Sequence, residues 1–478
     1  MRRPRTELLT TLRAEGLLFD GAMGTLLDAR RGRLPAFDCP ERLVLEAPEA
    51  IREIHRDYLA AGADVVTTCT FGGTPHKLGL HNLESQARAV NLAAAKLAGE
   101  VAAAFPGALV AGSMGPTGLL SIERRTDFQD FYRNFHVQAA ALLAGGVDLL
   151  LLETCNDMME TRAGILASRD AMAQAGRDAL LVVSFSTDAL GNLLLGTQLA
   201  AAALVADHLG VDMIGLNCSM GPDEMYRLAG ELHRQVAAPL LAMPNRGLPR
   251  NVGGRPVFDL PAEEFARKTA AFRGLGFRSL GGCCGTDPDC IRALRAEMTA
   301  APVIPEPPRE RVPALTGLFE AMMLATTPRP ILVGERLNYH GSRKFRNAVD
   351  ANDMETVVQL ARMQVERGAR VLDLNLATRD VQRQMELIRQ VIPQVSLNAP
   401  RPLMVDSTDL DAMREACRRM QGRGVLNSCN LEDIEKCREI LALARRHGMM
   451  VVCLPLAGEG LPRQPEERLQ NARRLCEL

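Results

Sequence analysis

The sequence predicts an α/β protein: an N-terminal (β/α)8 TIM barrel followed by a second, incomplete TIM-like (β/α) domain. Three observations carry this. Short apolar runs alternate with stretches of helical period, which implies parallel sheets. Eight such runs are evenly spaced between residues 17 and 277, at about 37 residues per unit, the size of a barrel of about 250 residues. Five more follow a proline-rich seam.

The first eight runs are Leu17–Phe19, Val65–Thr68, Leu109–Gly112, Val147–Glu153, Leu180–Phe185, Met213–Asn217, Leu240–Met243 and Phe277–Leu280. Between the first two, Ile51, Ile54, Tyr58, Leu59 and Ala61 recur at helical spacing, with Arg52, Glu53, Arg56 and Asp57 on the opposite face. A doubly wound open sheet is the rival fold, but no Gly-x-Gly-x-x-Gly follows the first run. Residues 301–314 hold Pro302, Pro305, Pro307, Pro308 and Pro313 and read as a semi-rigid linker. The division is thus 1–300, a linker at 301–314, and 315–478. In the last part the runs are Ile331–Gly334, Val371–Leu374, Leu403–Val405, Gly424–Leu426 and Met449–Leu454. Five units fall three short of a barrel and leave edges on the first and fifth strands.

Composition narrows the function. Across 478 residues, 56 Lys+Arg against 57 Asp+Glu leave a formal charge of −1, and Trp is absent. The charge gives no electrostatic case for a nucleic-acid binder, and the few aromatics weaken any reading built on stacking platforms. No apolar run approaches the roughly 18 residues of a membrane span. Leu8-Leu-Thr-Thr-Leu12 is too short and polar for a signal core. A cytoplasmic protein is expected, with its twelve cysteines as reduced thiols, metal ligands or catalytic groups.

Barrel chemistry sits at the carboxyl ends of the strands. There the sequence reads Asp20-Gly-Ala-Met-Gly-Thr25, Cys69-Thr-Phe71, Ser113-Met-Gly-Pro116, Glu153-Thr154, Asn217-Cys-Ser219, Pro244-Asn245 and Gly281-Gly-Cys-Cys-Gly-Thr286. Cys218 follows the sixth run and Cys283-Cys284 the eighth, so the two loops flank the seventh strand. Three converging thiolates suit Zn2+ with one open position. Such a centre is a poor Lewis acid, yet it holds a substrate thiol as a nucleophilic thiolate near neutral pH. The reaction class expected is S-alkylation of a thiol. Spacing alone leaves a structural metal, a redox pair and simple packing open.

At these residues the chain resembles the homocysteine-binding barrel of cobalamin-dependent methionine synthases, shared with betaine- and S-methylmethionine-dependent homocysteine methyltransferases. The resemblance runs from about residue 8 to 300. It implies that Cys218, Cys283 and Cys284 bind Zn2+, that zinc binds the homocysteine sulfur, and that Asp20 and Glu153 seat its amino-acid end. Cys69 departs from the family's Thr-Asn-Thr-Phe pattern and is either a lost polar contact or a spare thiol beside the metal. After the seam, Gly334-Glu-Arg-Leu-Asn338, Gly341-Ser-Arg-Lys-Phe345, Asp373-Leu-Asn375, Asp406-Ser407 and Asn427-Ser428 resemble the pterin-binding barrel of the same family. This implies a methyltetrahydrofolate pocket lined by Glu335, Asn338, Asp373, Asn375, Asp406 and Asn427. Asn375-Leu-Ala-Thr-Arg-Asp380 departs from the family's acidic stretch at that point. No Asp-x-His-x-x-Gly cobalt-ligand motif occurs, so cobalamin is expected on a separate domain or chain, a corrinoid-binding partner.

The expected reaction is methionine formation, with zinc-activated homocysteine thiolate attacking a methyl group supplied through cobalamin from methyltetrahydrofolate. The alternatives are direct transfer from S-methylmethionine or betaine, or a non-catalytic partner that binds folate or a corrinoid protein. His55, His136 and His233 fall on helical patterns and read as solvated or capping, while for His76, which follows the second run, an approach to the site is the lesser reading.

Overall fold

The computed structural model describes residues 5–123, 126–230, 232–252, 255–300, 309–458 and 461–478. Prolines 302, 305, 307 and 308 of the expected linker lie outside them. The chain divides into two compact units, Met1–Leu199 with Gly210–Arg311 and Ala200–Leu209 with Val312–Leu478.

In the first unit, β1 is reduced to bridges at residues 18–19. It is followed by β2 (Val65–Thr67), β3 (Leu109–Met114), β4 (Leu149–Cys155), β5 (Leu180–Phe185), β6 (Met213–Asn217), β7 (Leu240–Met243) and β8 (Phe277–Leu280). β2 to β8 are parallel neighbours in sequence order. Parallel bridges from Leu18 to Leu280 and from Phe19 to Val65 close the ring. Closure excludes the open-sheet rival. The strands read as unbroken apolar runs because both their faces are buried. Leu109, Ala111, Leu149, Leu151, Leu180 and Val182 alternate into one interior cluster. Their neighbours Val110, Leu150, Leu152, Leu181 and Val183 are buried as well.

The N-terminal helix Arg5–Ala14 delivers Leu8 and Leu12 into the same interior cluster, plugging the amino end of the barrel. Those leucines are four apart and share one helix face. Between β7 and β8 a short antiparallel hairpin pairs Arg250–Val252 with Arg255–Val257.

The second unit opens with an antiparallel hairpin, Ala314–Thr316 with Ala321–Met323. A five-stranded parallel sheet follows in sequence order: β9 (Val333–Asn338), β10 (Val371–Asn375), β11 (Leu403–Asp406), β12 (Val425–Cys429) and β13 (Met450–Cys453). One face, with Leu372, Leu374, Val405 and Leu426, packs in the main core of this unit. The other carries Val371 and Val425 in a cluster with Leu315 of the hairpin. Period-two alternation then places Asp373 and Asn375 above Val371, and Asn427 above Val425, on that second face. β9 runs four residues further than the apolar pattern marks, so Glu335 and Asn338 belong to the strand itself. No helix among the described residues is long and apolar enough to cross a membrane.

Candidate functional site

At the carboxyl end of the first barrel, Cys218, Cys283 and Cys284 bring their sulfurs within 4.8 Å of one another. Cys218 Sγ and Cys284 Sγ are 3.8 Å apart. The loop after β7 joins the two thiol-bearing loops. The Cys218 N–H donates to the Met243 carbonyl (3.2 Å), the Cys283 N–H to that of Pro244 (2.9 Å), and the Arg246 N–H to that of Cys284 (2.9 Å). Cys218 and Ser219 both sit in the left-handed region, at φ 62° and 60°. That twist turns the chain sharply off β6. At Gly281 a Cβ would stand 2.7 Å from Phe19 Cβ, so only glycine lets the β8 loop pass β1 here.

Asn217 ties this corner to β4. Its amide oxygen accepts the Thr154 N–H (2.9 Å). Its NH2 donates to Thr154 Oγ1 (2.8 Å) and toward Cys283 Sγ (3.9 Å). Hydrogen bonds from Cys283 and Cys284 hold the Cys218 thiol far below the usual thiol range, against its burial. The same sharing pushes Cys283 well up, and Cys284 to about 11. The cluster thus carries one negative charge more easily than two or three, and a bound cation would favour the rest.

A cavity of about 570 Å³ opens on this cluster, lined by Asp20, Glu153, Thr67, Ser113, Met243 and the three cysteines among others. Asp20 accepts from the Thr67 N–H (2.8 Å) and hydroxyl (3.0 Å). Burial still raises its carboxyl to about 8. Glu153 accepts from the Ser113 hydroxyl, and burial raises it to about 7. Two acids kept largely neutral by burial regain their charge when a cation enters. Together with the sulfurs they suit a ligand carrying both a soft donor and an ammonium.

Cys69 lines the cavity too, but its thiol turns to the Pro40 carbonyl (3.6 Å), away from the three-sulfur group. His76 is exposed and absent from the lining. Lys77 and His81, from the same loop, stand there instead, with Glu41 and Phe71. Apart from Phe71, already marked by its strand-end position, these sit on short turns with no apolar period for a sequence pattern to detect. His55 is not solvated: it is fully buried, both ring nitrogens lack a hydrogen bond, and burial lowers it to about 4. His136 fits its solvated reading, meeting Gln174 (3.1 Å) on the helix surface.

In the second unit the strand-end polar residues converge. Asn375 Nδ2 donates to Asp406 Oδ2 (3.0 Å). Burial, with the charge of Asp406 second, raises Asp373 to about 6, opposed by a hydrogen bond from Asn427. Asp373 Oδ1 is buried without a partner. Glu335 adds its charge to the same group. Asn338 is partly committed elsewhere, its Oδ1 accepting from the His340 (3.0 Å) and Gly341 (2.7 Å) N–H groups. A ring edge with several donors would satisfy these acceptors.

An eight-stranded barrel with a three-thiol cup at its carboxyl mouth, followed by a parallel sheet with a carboxylate–amide edge, is an arrangement suited to holding a soft metal and a thiol. The chain belongs to the homocysteine S-methyltransferase family, whose pattern matches residues 17–298. Residues 334–477 match the pterin binding enzyme family. The chain is 34% identical to methionine synthase from Mycobacterium leprae (strain TN), across 98% of this chain and 40% of that protein. Methionine synthase of Mycobacterium tuberculosis (strain ATCC 25618 / H37Rv) matches with the same identity and coverage. The chain thus spans about two fifths of these relatives. The homocysteine methyltransferase MmuM from Escherichia coli, in its metallated form, is 29% identical over 62% of this chain and 99% of its own, with a TM-score of 0.51.

Proposed function

We propose that the protein is a homocysteine S-methyltransferase that forms methionine. Residues 1–300 bind and activate the thiol, residues 301–314 link, and residues 315–478 hold the pterin methyl donor. Cys218, Cys283 and Cys284 are the ligands of Zn2+. The observation that carries this is the 3.8 Å between Cys218 Sγ and Cys284 Sγ. Zn–S bonds of about 2.3 Å at tetrahedral angles separate two sulfurs by about 3.8 Å. Zinc bound there, with a net single negative charge, supplies a centre that holds the substrate sulfur as thiolate while leaving it nucleophilic. Asp20 and Glu153 ionise on meeting the substrate ammonium and orient the amino-acid end, which leaves the sulfur at the cup. Asn217 keeps Cys283 aimed.

In the second unit Asp373, Asn375, Asp406 and Asn427, with Glu335 and Asn338, pair with the pterin edge of methyltetrahydrofolate. The pterin N5 needs a proton to become a leaving group, and Asp373, which burial raises to about 6, is the group we propose to poise it. A corrinoid (cobalamin) held on a partner domain or chain would supply the methyl-carrier chemistry between donor and thiol. All twelve cysteines are free thiols, which supports a reducing, cytoplasmic setting. A second reading, direct transfer from S-methylmethionine or betaine, draws on the first barrel alone matching a homocysteine methyltransferase from E. coli over 99% of that protein's length. Methionine formation from homocysteine, assayed with methylcobalamin, S-methylmethionine and betaine in turn, separates the two. Turnover with methylcobalamin alone supports the first, and turnover without any corrinoid overturns it.

A further inference from the structure

The cavity at the barrel mouth is unbalanced in charge. Carboxyl groups of Asp20, Asp38, Glu41 and Glu153 line it beside the three thiols. Against them stands a single lysine or arginine among the lining residues, Lys77. The lining histidine, His81, is engaged with Asp38 (3.0 Å). Lys77 rises from the helix Pro75–Gly79, whose start is fixed by Thr74 Oγ1 accepting the Lys77 N–H (3.3 Å). Its ammonium lies 3.7 Å from where a Cβ would stand on Gly118, so the side chain reaches from the loop after β2 to the loop after β3. It makes no ion pair among the described residues. Glu160, which feels its charge, is already occupied by the Thr117 N–H (2.7 Å) and hydroxyl (2.6 Å).

A thiol that is also an α-amino acid brings two charges into this cavity. Its ammonium matches Asp20 and Glu153. Among the charged side chains of the lining its carboxylate finds acids, an acid-engaged histidine and Lys77 alone, a difference that burial magnifies. We propose that Lys77 receives the α-carboxylate of the thiol substrate and thereby selects an amino-acid thiol over a simple one. This rests on the thiol-activating reading above and adds the specificity residue to it. Lys77 touches the substrate end remote from the sulfur, so it governs selection and leaves the sulfur chemistry to the cysteines.

The test is isothermal titration of the zinc-loaded full chain with homocysteine and with 3-aminopropane-1-thiol, the same molecule without its carboxylate. Wild type is expected to bind homocysteine roughly tenfold tighter or more, the scale of a charge-assisted hydrogen bond. Lys77→Met brings that ratio to about one through weaker homocysteine binding, with the aminothiol unaffected, and Lys77→Arg retains most of it. A ratio already near one in wild type, a ratio unchanged in Lys77→Met, or equal weakening of both ligands overturns the proposal while leaving zinc-held thiol binding intact. If neither thiol binds the zinc-loaded wild type, the thiol-activating reading falls and the Lys77 proposal falls with it.

Discussion

Replacing Cys283 by Ser removes one corner of the sulfur triangle while leaving Cys218 and Cys284 at their 3.8 Å separation. Two thiols still form a partial site, so the expected result is weakened zinc binding rather than its abolition. Four-ligand structural zinc sites are held by roughly 10–16 kcal/mol, or about 3 kcal/mol per ligand. At about 1.4 kcal/mol per factor of ten, the loss is on the order of a hundredfold in affinity. A serine hydroxyl does not ionise near neutral pH and adds little back. The assay is competition for zinc against a chromophoric chelator at fixed pH, with Cys290→Ser alongside. Cys290 is fully buried on the inner face of the helix Pro288–Ala300 and absent from the three-sulfur group. An unchanged zinc affinity in Cys283→Ser, or an equal drop in Cys290→Ser, refutes the reasoning.

The remaining expectations concern support, ligand and pH. Asn217→Ala frees the Thr154 N–H and withdraws a donor from Cys283, so zinc affinity should fall by about 10–100-fold, read by the same competition; Asn217→Asp, which cannot donate, should not rescue it. Asp373→Asn should weaken methyltetrahydrofolate binding by about tenfold or more in a fluorescence titration, with zinc content unaltered; unchanged folate affinity removes Asp373 from the pocket. Leu12→Ala opens the barrel plug and should lower unfolding free energy by about 2–5 kcal/mol in urea melts. Glu160 is raised from 4.5 to about 7 by burial. Between those values the native state keeps a proton that the unfolded chain has released, so stability falls as pH rises. At about 1.4 kcal/mol per pH unit, the fall is on the order of 3 kcal/mol and ends above pH 7. Glu160→Gln should lose that part of the slope while Asp20 and Glu153 keep theirs, and an identical slope in the variant rejects the assignment.

Much of the barrel was legible because burial on both strand faces leaves an unmistakable mark: Leu149 to Leu152 is apolar at every position. Cys218, Cys283 and Cys284 were legible because strand-end position and residue type coincide. The neighbours that complete the cavity were not. Lys77, His81 and Glu41 enter it from short helical turns and the chain beside them, and only the path of the chain brings them round. His55 misled for a related reason. Its own helix looks amphipathic, but partners from elsewhere close over it. The plug escaped notice because Leu8 and Leu12, four apart, look like any surface helix until the hole they fill is known. The hairpin at Ala314–Thr316 likewise begins inside the stretch that reads as linker.

The consecutive left-handed residues Cys218 and Ser219 have a further meaning. A side chain in that conformation carries about 1–2 kcal/mol of steric cost that glycine avoids. Evolution has a cheap remedy at Ser219, yet a hydroxyl stands there, touching its counterpart on Ser186. Ser219→Gly should therefore yield a sturdier fold whose sulfur wanders. In this corner rigidity of aim and overall robustness pull in opposite directions, and a stabilisation campaign that scores melting temperature alone would select against the geometry it means to preserve.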